Sequence, residues 1–228
     1  MNLRKVSNPL LLGVILCVTG VIAAGLLAWF YAITEAPIVQ SKAQRLNDAL
    51  GQVVPAFDNN IAENKFESNG IVFYGAMLNG ELVGVVAEAA TDSGYAGRIA
   101  GLVGLSPTGE VLELKGGRSA VLITEQSETP GLGTNVTDRK SVRTLMGILR
   151  GEKSEPGVQP ANRVLDSFVG KGVADAPLAI TKNGGTIEYI TGATITSNAV
   201  TRLVNAVLAE YGSNSAAILA ALTGKEVQ

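Results

Sequence analysis

The chain has 228 residues, room for one ordinary domain plus an appendage or for two small domains, and a formal net charge of −2. Its Lys and Arg residues are scattered, which argues against a phosphate-tracking surface and against nucleic acid as a partner. The absence of histidine and the single cysteine, Cys17, exclude Ser-His and Cys-His catalytic pairs, an intrachain disulfide and a CxxC-type zinc site.

From Val6 to Thr34 there is no charged side chain. The run "PLLLGVILCVTGVIAAGLLAWFYAI" exceeds the ~20 apolar residues that span a bilayer as a helix. Trp29 and Tyr31 stand at its far end, where aromatic rings favour the interface, and Arg4 and Lys5 precede it. The expected topology is an uncleaved single-pass anchor over 1–34 in a bacterial inner membrane, with Met1 cytoplasmic and everything beyond Thr34 periplasmic. The run is longer than a cleavable signal core. Leu16 before Cys17 does not suit a lipoprotein signal.

"EAPIVQSKAQRLNDALGQVVP" continues as an amphipathic helix with Ile38, Ala43, Leu46, Ala49, Leu50 and Val53 near one face, until Pro55 and "DNNIAENKFESNG" break it. Residues 35–69 are therefore expected to form a helical stalk and linker. The texture turns to β from Ile71. "IVFYGAML" and "ELVGVVAEAA" flank Asn79-Gly80, a strong two-residue hairpin signal. "GRIAGLVGLSPTGEVLELKGG" repeats the plan around a second turn. "SVRTLMGILRGEK" from Ser141 reads as a helix and "SEPGVQPANR" as a loop. In "SNAVTRLVNAVLAEYG" the residues Val200, Leu203, Val204, Val207, Leu208 and Tyr211 fall on one helical stripe, closed by Gly212. Strands in one block with flanking helices give an α+β fold, antiparallel and meander-like, over 70–228.

The last helix is preceded by "EYITGATIT". Thr194, Thr196 and Ser197 suit the capping of its first amides. The same place suits an anion, because free N–H groups and the helix dipole favour negative charge there and Gly192 and Ala193 leave room for a phosphate. An unaided threonine in a chain without histidine has no base to make it a nucleophile, so no catalytic residue is assigned.

These residues resemble the flavinylation motif of the FMN-binding domain family, Asp-x-x-Ser/Thr-Gly-Ala-Thr, with Thr191, Gly192, Ala193 and Thr194 in its last four places and Glu188 where the family has aspartate. A second segment, "SETPGLGTNV", is similar to the family's Glu-Thr-Pro-Gly-Leu-Gly signature through Glu128, Thr129, Pro130, Gly131, Leu132 and Gly133. Gln126 and Ser127 stand where the family often has a histidine. "GYAGRI" is a third match, in which Gly94 and Gly97 are expected to shape a turn and Tyr95 to pack. The resemblance implies FMN joined to Thr194 through a phosphoester. It implies backbone amides of Gly131 and Gly133 at the ring edge, and Leu132 against the ring face.

The order of anchor, β-rich middle and motifs is similar to that of the G subunits of Rnf-type ion-translocating electron-transport complexes. The C subunits of sodium-pumping quinone reductases carry the same motifs on a longer chain. The resemblance implies a non-autonomous electron-transfer subunit linked to ferredoxin and NAD chemistry, other membrane subunits as partners, and a periplasmic flavin transferase for maturation. The rival expectations are a cofactor-free membrane-tethered assembly subunit, in which the threonines only cap a helix, and a periplasmic flavin-dependent reductase.

Overall fold

The computed structural model of the protein describes residues 9–139 and 159–224. The helix expected from Ser141, the first half of the following loop, and Arg4 and Lys5 lie outside the described residues. Helix α1, Pro9–Leu50, contains the apolar span Leu10–Glu35, whose described side chains are exposed. At about 1.5 Å per residue its 26 residues exceed the ~30 Å hydrocarbon core of a bilayer. The compact units are 1–46 and 47–228.

The second unit is built on five antiparallel strands in the order β1 (Lys65–Ser68), β2 (Ile71–Leu78), β3 (Glu81–Thr91), β4 (Ile99–Leu105) and β7 (Val121–Glu125). The β2–β3 hairpin turns at Asn79-Gly80, both with positive φ (52° and 80°), the geometry that Asn-Gly tolerates at low cost. The second hairpin differs from expectation. After the turn at Ser106–Glu110 the chain makes one bridge, Leu105 to Val111, and then a two-stranded ribbon of β5 (Glu113–Leu114) and β6 (Arg118–Ser119). On the edge of β4 away from β3 the main partner is β7, which takes most of the edge that a longer second arm would have used.

Helix α4, Thr194–Thr223, packs across β1 to β4. Its stripe of Val200, Leu203, Val204, Val207, Leu208 and Tyr211 is buried against Phe73, Val85, Ala87 and Val103. The Tyr211 and Phe73 ring centroids are 6.2 Å apart, and the Tyr211 hydroxyl donates to Pro107 O at 2.9 Å. Gly212 does not close this helix. It lets α4 pass Val173, whose Cγ1 would lie 2.5 Å from a Cβ, and the helical angles fail instead at Asn214 (φ −126°) before resuming to Thr223.

The segment expected as stalk and linker joins the sheet more closely than that description suggests. Leu50, Val53, Val54 and Ile61 are buried, and Lys65–Ser68 forms the edge strand β1. The physical reason is that β3 and β4 are buried on both faces, and only one face is covered by α4. Two short helices, α2 (Thr134–Thr137) and α3 (Arg163–Asp166), complete the flank beside β7. The fold is thus α+β, an apolar N-terminal helix followed by an antiparallel sheet with flanking helices.

Candidate functional site

The approach to α4 is a tight turn. Ala193 N donates to Ile190 O at 2.9 Å, and Gly192 has φ +89°, a conformation that a side chain would strain. Ala193 occupies the cap position of α4, and no side chain caps the helix. This corrects the capping expectation. Ser197 Oγ donates to Ala193 O at 2.9 Å, one turn back, and Thr196 Oγ1 donates to Glu128 Oε2 at 2.7 Å, 68 residues away. Among the described residues nothing accepts from the backbone N–H groups of Thr194, Ile195 and Thr196, and the Thr194 hydroxyl has no hydrogen-bond partner. Thr194 is half-buried, at the positive end of a 30-residue helix.

The second motif follows β7 as a loop folded on itself. Leu132 N and Thr134 N both donate to Thr129 O, and Gly131 N donates to Thr134 Oγ1 at 3.0 Å. Gln126 braces it, accepting from Glu128 N at 2.6 Å and donating to Asp138 at 3.1 Å. Asn162 holds α2 from the other side. Its amide nitrogen donates to the carbonyls of Asn135, Val136 and Asp138, while its oxygen caps α3 by accepting from Val164 N and Leu165 N. Arg139, at the end of this segment with its side chain 4 % exposed, donates to Asp166 at 2.7 Å and to the carbonyls of Ser119 and Val121. Burial lowers its pKa, and the Asp166 carboxylate opposes that shift.

Glu128 ties the three motifs together. It is 4 % exposed, and its second oxygen accepts from Ala96 N at 3.2 Å, within the "GYAGRI" segment. Gly133 is what admits the carboxylate. A Cβ there would lie 2.5 Å from Glu128 Oε2 and 3.1 Å from Thr196 Oγ1.

Between these segments lies a cleft of about 410 Å³ lined by Glu128, Thr129, Leu132, Gly133, Gly192, Ala193 and Thr194, together with Tyr95, Ile195 and Thr196. Thr191 and Gly131 support the two turns and do not line it. Glu188 stands outside, half-exposed and paired with Arg163 at 2.8 Å. Tyr95, expected to pack, is instead 69 % exposed at the rim. Thr196 could have been placed from sequence, because it lies one turn before Val200 on the buried stripe. Ile195 lies off that stripe, and its exposure follows. A larger cleft of about 740 Å³, bordered by Phe57, Leu114 and Pro160 among others, contains none of the motif residues.

The donor set fits a phosphorylated planar cofactor. It offers open helix amides and an unengaged hydroxyl for the phosphate end, glycine backbone at close range, and apolar walls at Leu132 and Ile195 for a ring.

Comparison with known proteins agrees with this geometry. Residues 94–209 match the FMN-binding domain family, a segment that contains all three motifs. The chain is 29 % identical to the G subunit of the ion-translocating oxidoreductase complex of Pseudomonas aeruginosa, over 93 % of this chain and 91 % of that protein. For the corresponding protein of Vibrio atlanticus the identity is 29 % over 91 % and 92 %. For that of Aliivibrio fischeri it is 30 % over 83 % and 84 %. The chain belongs to the FMN-binding domain family, in the group formed by the G subunits of ion-translocating oxidoreductase complexes.

Proposed function

We propose that the protein carries FMN covalently on Thr194 and relays electrons between neighbouring redox centres of a membrane-bound ion-translocating complex linked to ferredoxin and NAD chemistry. The observation that carries this is the state of the Thr194 hydroxyl: half-buried, unbonded, lining the cleft, and placed where three helix amides have no acceptor. FMN supplies the one- and two-electron redox chemistry when bound, and the chain positions it.

Each neighbouring residue has a part in this reading. The amides of Thr194–Thr196 and the helix dipole stabilise the phosphate. Thr191, Gly192 and Ala193 form the turn that brings the backbone close. Thr129, Leu132 and Gly133 wall the cleft opposite, and Gly131 shapes their loop. Glu128 fixes the two walls at a set distance.

Attachment needs a second protein. The Thr194 oxygen forms a bond to the flavin-side phosphorus of FAD, the pyrophosphate bond breaks, AMP leaves, and the hydroxyl proton passes to a base. Glu128, the carboxylate of the cleft, is already engaged by Thr196 and Ala96, so the base belongs to a flavin transferase. The positive residues Arg4 and Lys5 before the apolar span favour a cytoplasmic N-terminus, which puts the second unit and its transferase in the periplasm. An ester bond keeps the cofactor there, where one held by equilibrium binding alone would diffuse away.

Denatured, gel-separated protein from cells making the transferase is expected to show flavin fluorescence. Thr194→Val removes the fluorescence, whereas Thr129→Val, which loses an exposed hydroxyl of the same cleft, retains it. Full fluorescence in the Thr194 variant refutes the attachment site.

A further inference from the structure

Among the described residues of the second unit, five large apolar side chains are more than a third exposed: Phe57, Tyr95, Leu132, Val173 and Ile195. Tyr95 (69 %), Ile195 (53 %) and Leu132 (47 %) border one cleft, the one that contains Thr194. They come from three segments far apart in the chain, so their convergence is a property of the fold. Single exposed apolar residues are ordinary, but a cluster around a concave site marks something that covers it. The polar side chains of the floor are turned to one another. Both Glu128 oxygens are occupied, and Thr196 donates to one of them. The Tyr95 phenol makes no hydrogen bond among the described residues, while the backbone of its loop is anchored through Ala96 N to Glu128. A fixed loop thus presents a planar aromatic ring at the mouth of a cleft whose other exposed large apolar side chains, Leu132 and Ile195, are aliphatic.

We propose that Tyr95 stacks on the isoalloxazine ring of the flavin, with Leu132 and Ile195 as the apolar side of the clamp, and shields the ring from solvent. This rests on the reading of Thr194 as the FMN attachment site, and all three side chains fall within the matched family segment. Offset stacking of an aromatic side chain on a planar heterocycle buries apolar area on both partners. It also leaves an optical trace, because a phenol in contact with an isoalloxazine quenches its fluorescence.

The test uses the full-length protein produced with a flavin transferase, with FMN content fixed by intact mass and fluorescence expressed per FMN. Native wild type is expected to be several-fold dimmer than the same protein unfolded, and shielded from quenching by iodide. Tyr95→Ala recovers most of the lost fluorescence and opens the flavin to iodide. Tyr95→Phe brightens it while keeping the shielding. An FMN-loaded Tyr95→Ala protein as dim and as shielded as wild type overturns the proposal and leaves the exposed ring to a protein partner. Wild type without covalent FMN overturns the Thr194 reading and the clamp with it, an outcome that the mass alone distinguishes.

Discussion

Glu128 is a buried carboxylate without a cation beside it among the described residues, held by the Thr196 hydroxyl and one backbone amide. Burying a charge is costly unless its hydrogen bonds are complete, so each donor has more weight here than on the surface. Thr196→Val keeps the shape and removes the donor to Oε2. We expect it to lower stability by about 1–3 kcal/mol, seen as a lower unfolding temperature. Covalent FMN is expected to remain on Thr194 in the folded fraction. An unchanged unfolding temperature contradicts the account of Glu128 as the tie between the motifs. This tie is what the sequence could not display: Glu128 is legible as a motif member and Thr196 only as a helix-entry residue, and their pairing across 68 residues depends on how β7 and α4 are packed. The reason for Gly133 is hidden in the same way, since it lies in the carboxylate that the glycine makes room for.

At the level of elements, α4 is fastened to the sheet edge by Glu210 as well as by its apolar stripe. Ser68 Oγ donates to Glu210 at 2.6 Å, Asn69 at the β1–β2 turn at 2.7 Å, and Asn214 at 2.7 Å. The Asn69 and Ser68 bonds lower the Glu210 pKa. A depressed carboxylate pKa stabilises the fold in full above the ordinary glutamate value of about 4.3, and this is lost as pH falls through the folded-state value. Glu210→Gln is therefore expected to narrow its stability deficit relative to wild type as pH drops below that range. A deficit that stays constant with pH excludes this contribution. The apolar stripe of α4 and the Asn79-Gly80 hairpin were readable because periodicity and turn chemistry are local. The end of α4 was not, because Gly212 answers to Val173 and not to the helix terminus. The short reach of the second hairpin depends on β7, a competitor that no local pattern announces.

Across the whole molecule, an apolar span with charged residues before it is joined to a compact unit whose family is defined by FMN binding. The long apolar helix, a candidate membrane span, and the family were both legible: the first from an uncharged run longer than a bilayer needs, the second from two motifs whose joint occurrence is specific. The start of the compact unit was not, since Leu50, Val53 and Val54 look like a continuing stalk until β3 and β4 are known to need cover on both faces. The proposed orientation has its own check. With the lone native cysteine replaced (Cys17→Ser), Lys182→Cys places a thiol at an exposed position of the second unit. A membrane-impermeant maleimide is expected to label it in cells with a permeabilised outer membrane and an intact inner one. Labelling only after the inner membrane is broken reverses the topology.

The central claim concerns the oxygen of Thr194, and mass spectrometry of the mature protein reads it directly. Protein isolated from cells that supply the transferase should weigh its polypeptide mass plus one FMN less one water, with fragmentation placing the addition on Thr194. A mass equal to that of the polypeptide alone, or an addition on Thr129, Thr191 or Thr196, contradicts the account.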